Sequence, residues 1–313
     1  MLGRTAGGMF WLFRYLERAE NTTRLLEAGL RLALTRATPT DSDWDSVLTT
    51  AGSRNGYFER HDVLTASRAI DFVLRDETDP SSVASVMKAG RNSARTVRTA
   101  LTRDVWEAIN QCYLSTSAML NRPVEPAELP KILARIRNEI TLVSGALHGT
   151  MLRNETFNFA RLGTHLERSD NTARILDVKY YVLLPSASFV GSPLDNLQWE
   201  NILRSVSAER AFRWTHASGI NASAIAAFLI LDRRLPRSLA FCFQEIENNL
   251  AQLETIHNHE VLSHDLSRSL TNRCRNRTID SIFEEGLHEF LRDSIADTNR
   301  LGAQIEADYR FNA

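Results

Sequence analysis

The stretch LERAENTTRLL (Leu16–Leu26) returns as LERSDNTARIL (Leu166–Leu176), and this repetition constrains the fold more than any other feature. The identical positions are Leu16/Leu166, Glu17/Glu167, Arg18/Arg168, Asn21/Asn171, Thr22/Thr172, Arg24/Arg174 and Leu26/Leu176. Two further blocks follow in the same order. WDSVL at Trp44 answers WENIL at Trp199, and FVLRDETDPSSVA at Phe72 answers FLILDRRLPRSLA at Phe228. One such block is within chance. Three in order, with a slowly growing spacing, predict an internal duplication interrupted by small insertions. The expected architecture is a single all-α domain over 1–313, built from two homologous helical-bundle halves, about 1–150 and 151–313, related by a pseudo-twofold axis.

At 3.6 residues per turn, Leu12, Tyr15, Leu16, Ala19, Thr23 and Leu26 share one arc of about 100°, a core-facing stripe. Glu17, Glu20, Asn21 and Arg24 share a second arc, with Arg18 at its border. Glu20/Arg24 is an acid-before-base pair one turn apart, and Asp170/Arg174 reproduces it. On an exposed helix such a pair adds only about 0.3–0.5 kcal/mol. Between the two copies the apolar positions change (Trp11/Arg161, Phe13/Gly163, Tyr15/His165), whereas the Glu, Arg, Asn and Thr positions do not. A solvated face drifts faster than a core, so both polar faces are expected to point inward near the pseudo-axis. There Glu17, Arg18, Arg24 and Glu167, Arg168, Arg174 satisfy one another, as a device that specifies packing or as the floor of a site. The candidate binding residues are Glu17, Arg18, Glu20, Asn21, Arg24, Glu167, Arg168, Asp170, Asn171 and Arg174.

Helical periodicity covers almost every other segment, and no run of strands is apparent. Asp43, Pro80–Ser81, Pro126 and Pro236 read as helix starts. The segment TIDSIFEEGLHEFLRDSIADTNRLGAQIEADYR reads as one long amphipathic helix, and Leu184–Asp195 as the longest non-helical piece. The cysteines, Cys112, Cys242 and Cys274, are too scattered for a zinc knuckle or a disulfide framework and fit a reducing compartment. The longest apolar run, Ala224–Leu231, is less than half of the roughly 20 residues that a membrane span requires. The chain is accordingly read as soluble and cytoplasmic, without a membrane partner.

A net charge of -1 argues against a general polyanion binder, yet Lys88, Lys131 and Lys179 are the only lysines among 37 basic residues. Arginine, a planar bidentate donor, therefore dominates the positive surface. Lys88, Arg91, Arg95 and Arg98 share an arc of about 80° on the helix that starts after Pro80, a basic stripe suited to carboxylate or phosphate. Their second-half counterparts are Gln244, Glu247, Ala251 and Glu254, which invites pairing between the two helices. Nucleic acid is not expected, because aromatic residues do not interleave with the stripe.

Two Glu-x-x-His pairs, Glu254/His257 and Glu285/His288, and the pair Glu260/His264 raise a di-metal carboxylate bundle as a remote alternative, with Glu17 and Glu167 as further ligands. Both pairs fall in one half, and that number arises by chance, so no metal and no cofactor are expected. Nucleotide-binding glycine loops and the G-x-S-x-G elbow are absent, which argues against an ATP site within the chain.

MFWLFRYLERAENTTRLL, NFARLGTHLERSDNTARIL, Asp79–Asn110 and FLILDRRLPRSLAFCF together resemble the alpha-E domain family, named for its Glu-Arg motif, and the resemblance covers essentially the whole chain. Two positions depart from the repeated pattern: Thr164 stands where an arginine matching Arg14 is expected, and His165 stands opposite Tyr15. Members of that family are typically encoded beside circularly permuted ATP-grasp proteins, which resemble peptide or amide ligases, and beside transglutaminase-like proteins. The resemblance therefore implies an accessory protein that binds such a ligase, or its peptide substrate, through the Glu-Arg faces and through Arg91, Arg95 and Arg98. The alternative is an enzyme of the same pathway, with Glu17 or Glu167 as general base and Arg24 or Arg174 as anion clamp. Homo-oligomerisation is compatible with either.

Overall fold

The computed structural model describes residues 3–35, 41–182, 193–216 and 221–311, and these form fifteen α-helices with no strand. The expected all-α class is therefore met. The chain divides into two compact units, the first comprising Met1–Ala33, Thr38–Thr164 and Tyr309–Ala313, the second Leu34–Ala37 and His165–Asp308. The division falls inside the helix Glu155–Val182.

Helix α1 (Gly3–Thr35) carries the first Glu-Arg motif and is followed by α2 (Asp41–Ala51), α3 (Arg54–Phe58), α4 (Ala66–Arg75), α5 (Val83–Thr96), α6 (Arg103–Met119) and α7 (Leu129–Thr150). Helix α8 (Glu155–Val182) carries the second motif and is followed by α9 (Pro193–Ser205), α10 (Glu209–Thr215), α11 (Ala222–Leu231), α12 (Leu239–His257), α13 (Leu262–Arg275), α14 (Ile279–Glu285) and α15 (Leu287–Asp308). In the first unit α2 packs on α3 and α4, α4 on α5, α5 on α6 and α6 on α7. In the second, α9 packs on α10 and α11, α11 on α12, α12 on α13 and α13 on α15, while α14 lies against α11 and α15.

Local chemistry places the helix ends. Thr65 caps α4 by accepting from the Arg68 amide, and Asn221 caps α11 by accepting from the Ala224 amide. Ser82 and Ser238 cap α5 and α12 in the same way, through the Ser85 and Phe241 amides. Each cap satisfies a helix-end donor that otherwise lacks a partner. At the end of α2, Gly52 takes φ 74° while the Ser53 amide donates to the Leu48 carbonyl at 2.9 Å. At the end of α9, Ser207 takes φ 55° while the Ala208 amide donates to the Leu203 carbonyl at 2.7 Å. Both are left-handed helix stops of the six-to-one type. The core faces of α7 and α15 also run in parallel register: Leu129, Leu133, Ile136, Ile140, Val143 and Leu147 are buried in one, and Leu287, Leu291, Ser294, Thr298, Leu301 and Ile305 in the other.

Two sequence expectations are corrected. The segment beginning at Thr278 is two helices, because Gly286, at φ 105°, separates α14 from α15. The helix after Pro80 stops at Thr96, and Arg98 belongs to a separate 3-10 turn, Arg98–Ala100. Of the stretch read as non-helical, residues 184–192 lie outside the described residues, and Pro193 opens α9. Gly163 of α8 marks a close approach within the first unit: a Cβ there would lie 2.1 Å from the Phe10 carbonyl oxygen. Among the described residues no helix is long and apolar enough to cross a membrane.

Candidate functional site

The two Glu-Arg faces share one pattern of burial. Glu17 and Glu167 are buried, at 4% and 6% exposure, and Arg18, Glu20, Arg24 and their counterparts Arg168, Asp170 and Arg174 are half-buried. Asn21 is buried and Asn171 half-buried. Arg24 grips Glu20 through Nη2 at 2.6 Å, and Arg174 grips Asp170 through Nε at 2.6 Å. In the second unit the motif also reaches across to the α11–α12 turn. Arg168 donates to the Pro236 carbonyl at 3.3 Å, and the Thr172 hydroxyl donates to the Arg237 carbonyl at 2.8 Å. One job of Arg168 and Thr172 is therefore to hold this turn, and the buried Thr172 bond satisfies a carbonyl that would otherwise be costly to bury. His165 is fully buried, its Nε2 3.8 Å from Glu245 and its ring 5.8 Å from Phe241.

The basic stripe is held by its own unit. Lys88 pairs with Glu77 at 2.8 Å. Arg91 donates to Asn110 at 2.9 Å and lies 4.7 Å over the Tyr113 ring, and Arg98, off the helix, lies 5.0 Å over Trp106. The stripe is thus braced by aromatic rings from α6, which its own sequence does not announce. Arg95 is exposed and has no ion-pair partner among the described residues.

Sequence reading missed a second repeated feature. Tyr57, His61 and Phe72 cluster in the first unit, with ring centroids 4.7 Å (Tyr57–His61), 5.5 Å (Tyr57–Phe72) and 6.2 Å (His61–Phe72) apart. Phe212, His216 and Phe228 cluster likewise in the second, at 4.3, 5.5 and 5.5 Å. Each histidine faces the aspartate that ends the next helix. Burial resists ionisation of Asp76, but hydrogen bonds from the Thr78 hydroxyl and amide, with Arg60 and His61 nearby, carry its pKa below the ordinary 3.8. Hydrogen bonds from Arg234, with His216 nearby, do the same for Asp232. The signal that finds these residues is the repeat spacing itself, carried from Trp44/Trp199 on to His61/His216.

In the first unit this cluster opens onto a cavity of about 340 Å³ between α4 and the α6–α7 connection. Ile70, Phe72, Val124 and Leu129 are among its apolar walls, and His61, Arg68, Asp71 and Asp76 its polar ones.

The Glu-x-x-His pairs do not converge. Arg268 bridges Glu254 and Glu260, with His264 3.6 Å from Glu254. Glu285 pairs with Arg277, and His288 with Asp177 at 2.5 Å. Guanidinium groups thus supply the positive charge that a metal would bring. Among the described residues no group of three or more His, Cys, Asp or Glu could hold a metal ion. The three cysteines are buried thiols, and burial pushes Cys112 and Cys274 up to about 12, far from a thiolate nucleophile at neutral pH.

The family described as "a predicted alpha-helical domain with a conserved ER motif" matches residues 1–309. The chain belongs to the Alpha-E family. The Glu-Arg pair of that description occurs here twice, as Glu17–Arg18 and Glu167–Arg168. This Alpha-E chain is similar to an uncharacterized protein of Mycobacterium bovis, 22% identical over 268 residues, which is 80% of this chain and 30% of the relative. It is equally similar to an uncharacterized protein of Mycobacterium tuberculosis strain CDC 1551, at the same identity and coverage. In strain H37Rv the corresponding uncharacterized protein is 21% identical over 268 residues, again 80% of this chain and 30% of the relative. The chain thus spans 30% of the length of the curated relatives that it matches. No solved structure matches it.

Proposed function

We propose that this Alpha-E chain consists of two copies of one helical module related by a pseudo-twofold axis. In this reading it acts as a non-catalytic binding component of an ATP-grasp-type peptide or amide ligase system. The matched helix order, caps and left-handed stops of the two units support the duplication. Burial of Glu17 and Glu167, at 4% and 6% exposure, carries the functional reading. A general base must come within hydrogen-bond reach of the proton that it removes, directly or through one water. Carboxylates closed off in this way serve the fold, and the charge left for a partner lies on the exposed edge of α5 at Arg95. The ligase itself is inferred from the company that the family keeps, and a transglutaminase-like protein is a second partner on the same ground. The longer mycobacterial relatives fit a module that works beside other domains.

Co-elution of the full chain with the ATP-grasp protein encoded beside it, with and without ATP and candidate peptides, tests the proposal. A stable complex is expected, weakened by about tenfold or more in Arg95→Glu, as for loss of a charged contact at an interface. Glu17→Gln should leave complex formation and ligase turnover intact. Absence of a complex under all conditions, or turnover that depends on the Glu17 carboxylate in a folded variant, would refute it.

A further inference from the structure

The cavity beside His61 has a counterpart in the second unit that is already filled. Leu129 opens α7 and Leu287 opens α15, in matching register, so the α6–α7 connection corresponds to the α13–α15 connection and Val124 corresponds to Ile282. In the second unit that connection folds into α14, which packs on α11 and α15 and buries Ile282 completely. In the first unit Pro123 and Pro126 flank Val124. Proline lacks the amide donor and restricts the residue before it, so this connection does not close as a helix. Val124 remains half-buried, and the cavity of about 340 Å³ stands between α4 and the connection. That volume falls within the range of about 300–1,000 Å³ typical of ligand pockets.

The second unit also shows what suits this place. Its occupant is a short helical turn, Ile279–Glu285, with one aliphatic side chain inward and Asp280, Glu284 and Glu285 around it. The first-unit cavity has an added base at its rim. Arg68 lines the cavity where the second unit has Ala224, and it has no ion-pair partner among the described residues. His61 and Arg60 lie near the same rim, while the negative charge of Asp71 is taken up by Arg75 at 2.6 Å and the second carboxylate of the lining, Asp76, is bound by the Thr78 amide and hydroxyl.

We infer that the first-unit cavity is a docking site for a partner protein, which inserts an aliphatic side chain carried on a short acidic helical turn and so supplies in trans what α14 supplies within the second unit. This inference shares with the proposed function the premise that the chain acts by binding protein. It names a different surface from the α5 edge.

A fluorescein-labelled peptide of the α14 sequence, TIDSIFEEG, titrated with the full chain and followed by anisotropy, tests it. Saturable binding is expected, lost when the peptide's isoleucine at the Ile282 position is replaced by aspartate. Val124→Phe, which fills the cavity, should abolish binding while circular dichroism and the melting temperature remain those of a folded chain. Arg68→Glu changes an exposed side chain that folding does not use, and it should weaken binding about tenfold through charge reversal. No saturation up to millimolar chain, or equal binding by Val124→Phe and Arg68→Glu, would overturn the inference. Because neither variant touches Arg95, a failure here leaves the co-elution result standing, and the reverse also holds.

Discussion

The Asp76–Ser82 and Asp232–Ser238 turns differ in most of their residues but share the bonds that shape them. In each, the aspartate accepts from the amide two residues on, at 2.8 Å, and a serine caps the next helix. The α6–α7 and α13–α15 connections, which the proposed duplication would pair, agree in little by contrast. One is a proline-braced loop over a cavity; the other is a helix that buries its own isoleucine. The lesson is that hydrogen-bonded turns hold their geometry while side chains change, whereas a connection defined only by apolar packing is free to open or close a space. The divergent pair is where a new ligand site arises.

The sharpest break of this comparison is a truncation at the matched pair. Ile282→Ala should cost about 2–5 kcal/mol, as for a fully buried aliphatic residue, whereas Val124→Ala should cost under about 1 kcal/mol. Urea denaturation of both variants measures the difference, and equal losses would mean that the first connection is packed as well as the second. Next in size is Gly163, which stands where the first copy has Phe13. Gly163→Ala drives a methyl against the Phe10 carbonyl and should cost about 1–3 kcal/mol. Gly145→Ala in α7, with nothing within 4 Å, should gain up to about 1 kcal/mol from helix propensity. Ser82→Ala and Ser238→Ala should each cost about 0.5–2 kcal/mol, and by similar amounts, if the two caps are equivalent. The left-handed stops should respond in opposite senses: Gly52→Ala loses about 1 kcal/mol, while Ser207→Gly gains a smaller amount.

The smallest effect is on pH dependence. A carboxylate with a lowered folded-state pKa contributes stability above its unfolded value and loses it as pH falls through the folded one. Asp76 and Asp232 both lie below 3.8, so their contributions persist at neutral pH and fade in the acid limb below about pH 4. Asp76→Asn and Asp232→Asn should each flatten that limb in thermal melts taken from pH 6 downward. A change confined to one variant would separate the two turns.

Much of the fold was legible because its signals are local. Proline before serine marks the starts of α5 and α12, and the three repeated blocks place corresponding helices in order. Gly286 is the helix break between α14 and α15, but the apolar period continues on both sides of it and masks the break in the sequence. Spacing alone places Arg98 on α5, although the helix ends at Thr96 and Trp106 captures the guanidinium. The site was less legible for a tertiary reason. Spacing shows which side chains share a helix face, but not that Thr172 would find the Arg237 carbonyl or that α6 would place Tyr113 under Arg91. The His61 and His216 clusters escaped because each histidine taken singly resembles any other; only alignment of one half on the other sets it beside the same aromatic partners.

The sealed thiols have an experimental use. Cys112 sits in α6 of the first unit and Cys274 in α13 of the second, each protonated and shielded from solvent. An alkylating reagent would therefore reach each sulfur only when its surrounding helices part, and the rates at Cys112 and Cys274, resolved from that of Cys242 in the second unit, would time the opening of the two units separately. The chain carries a built-in clock for each half, able to tell whether engaging a partner steadies one unit or both.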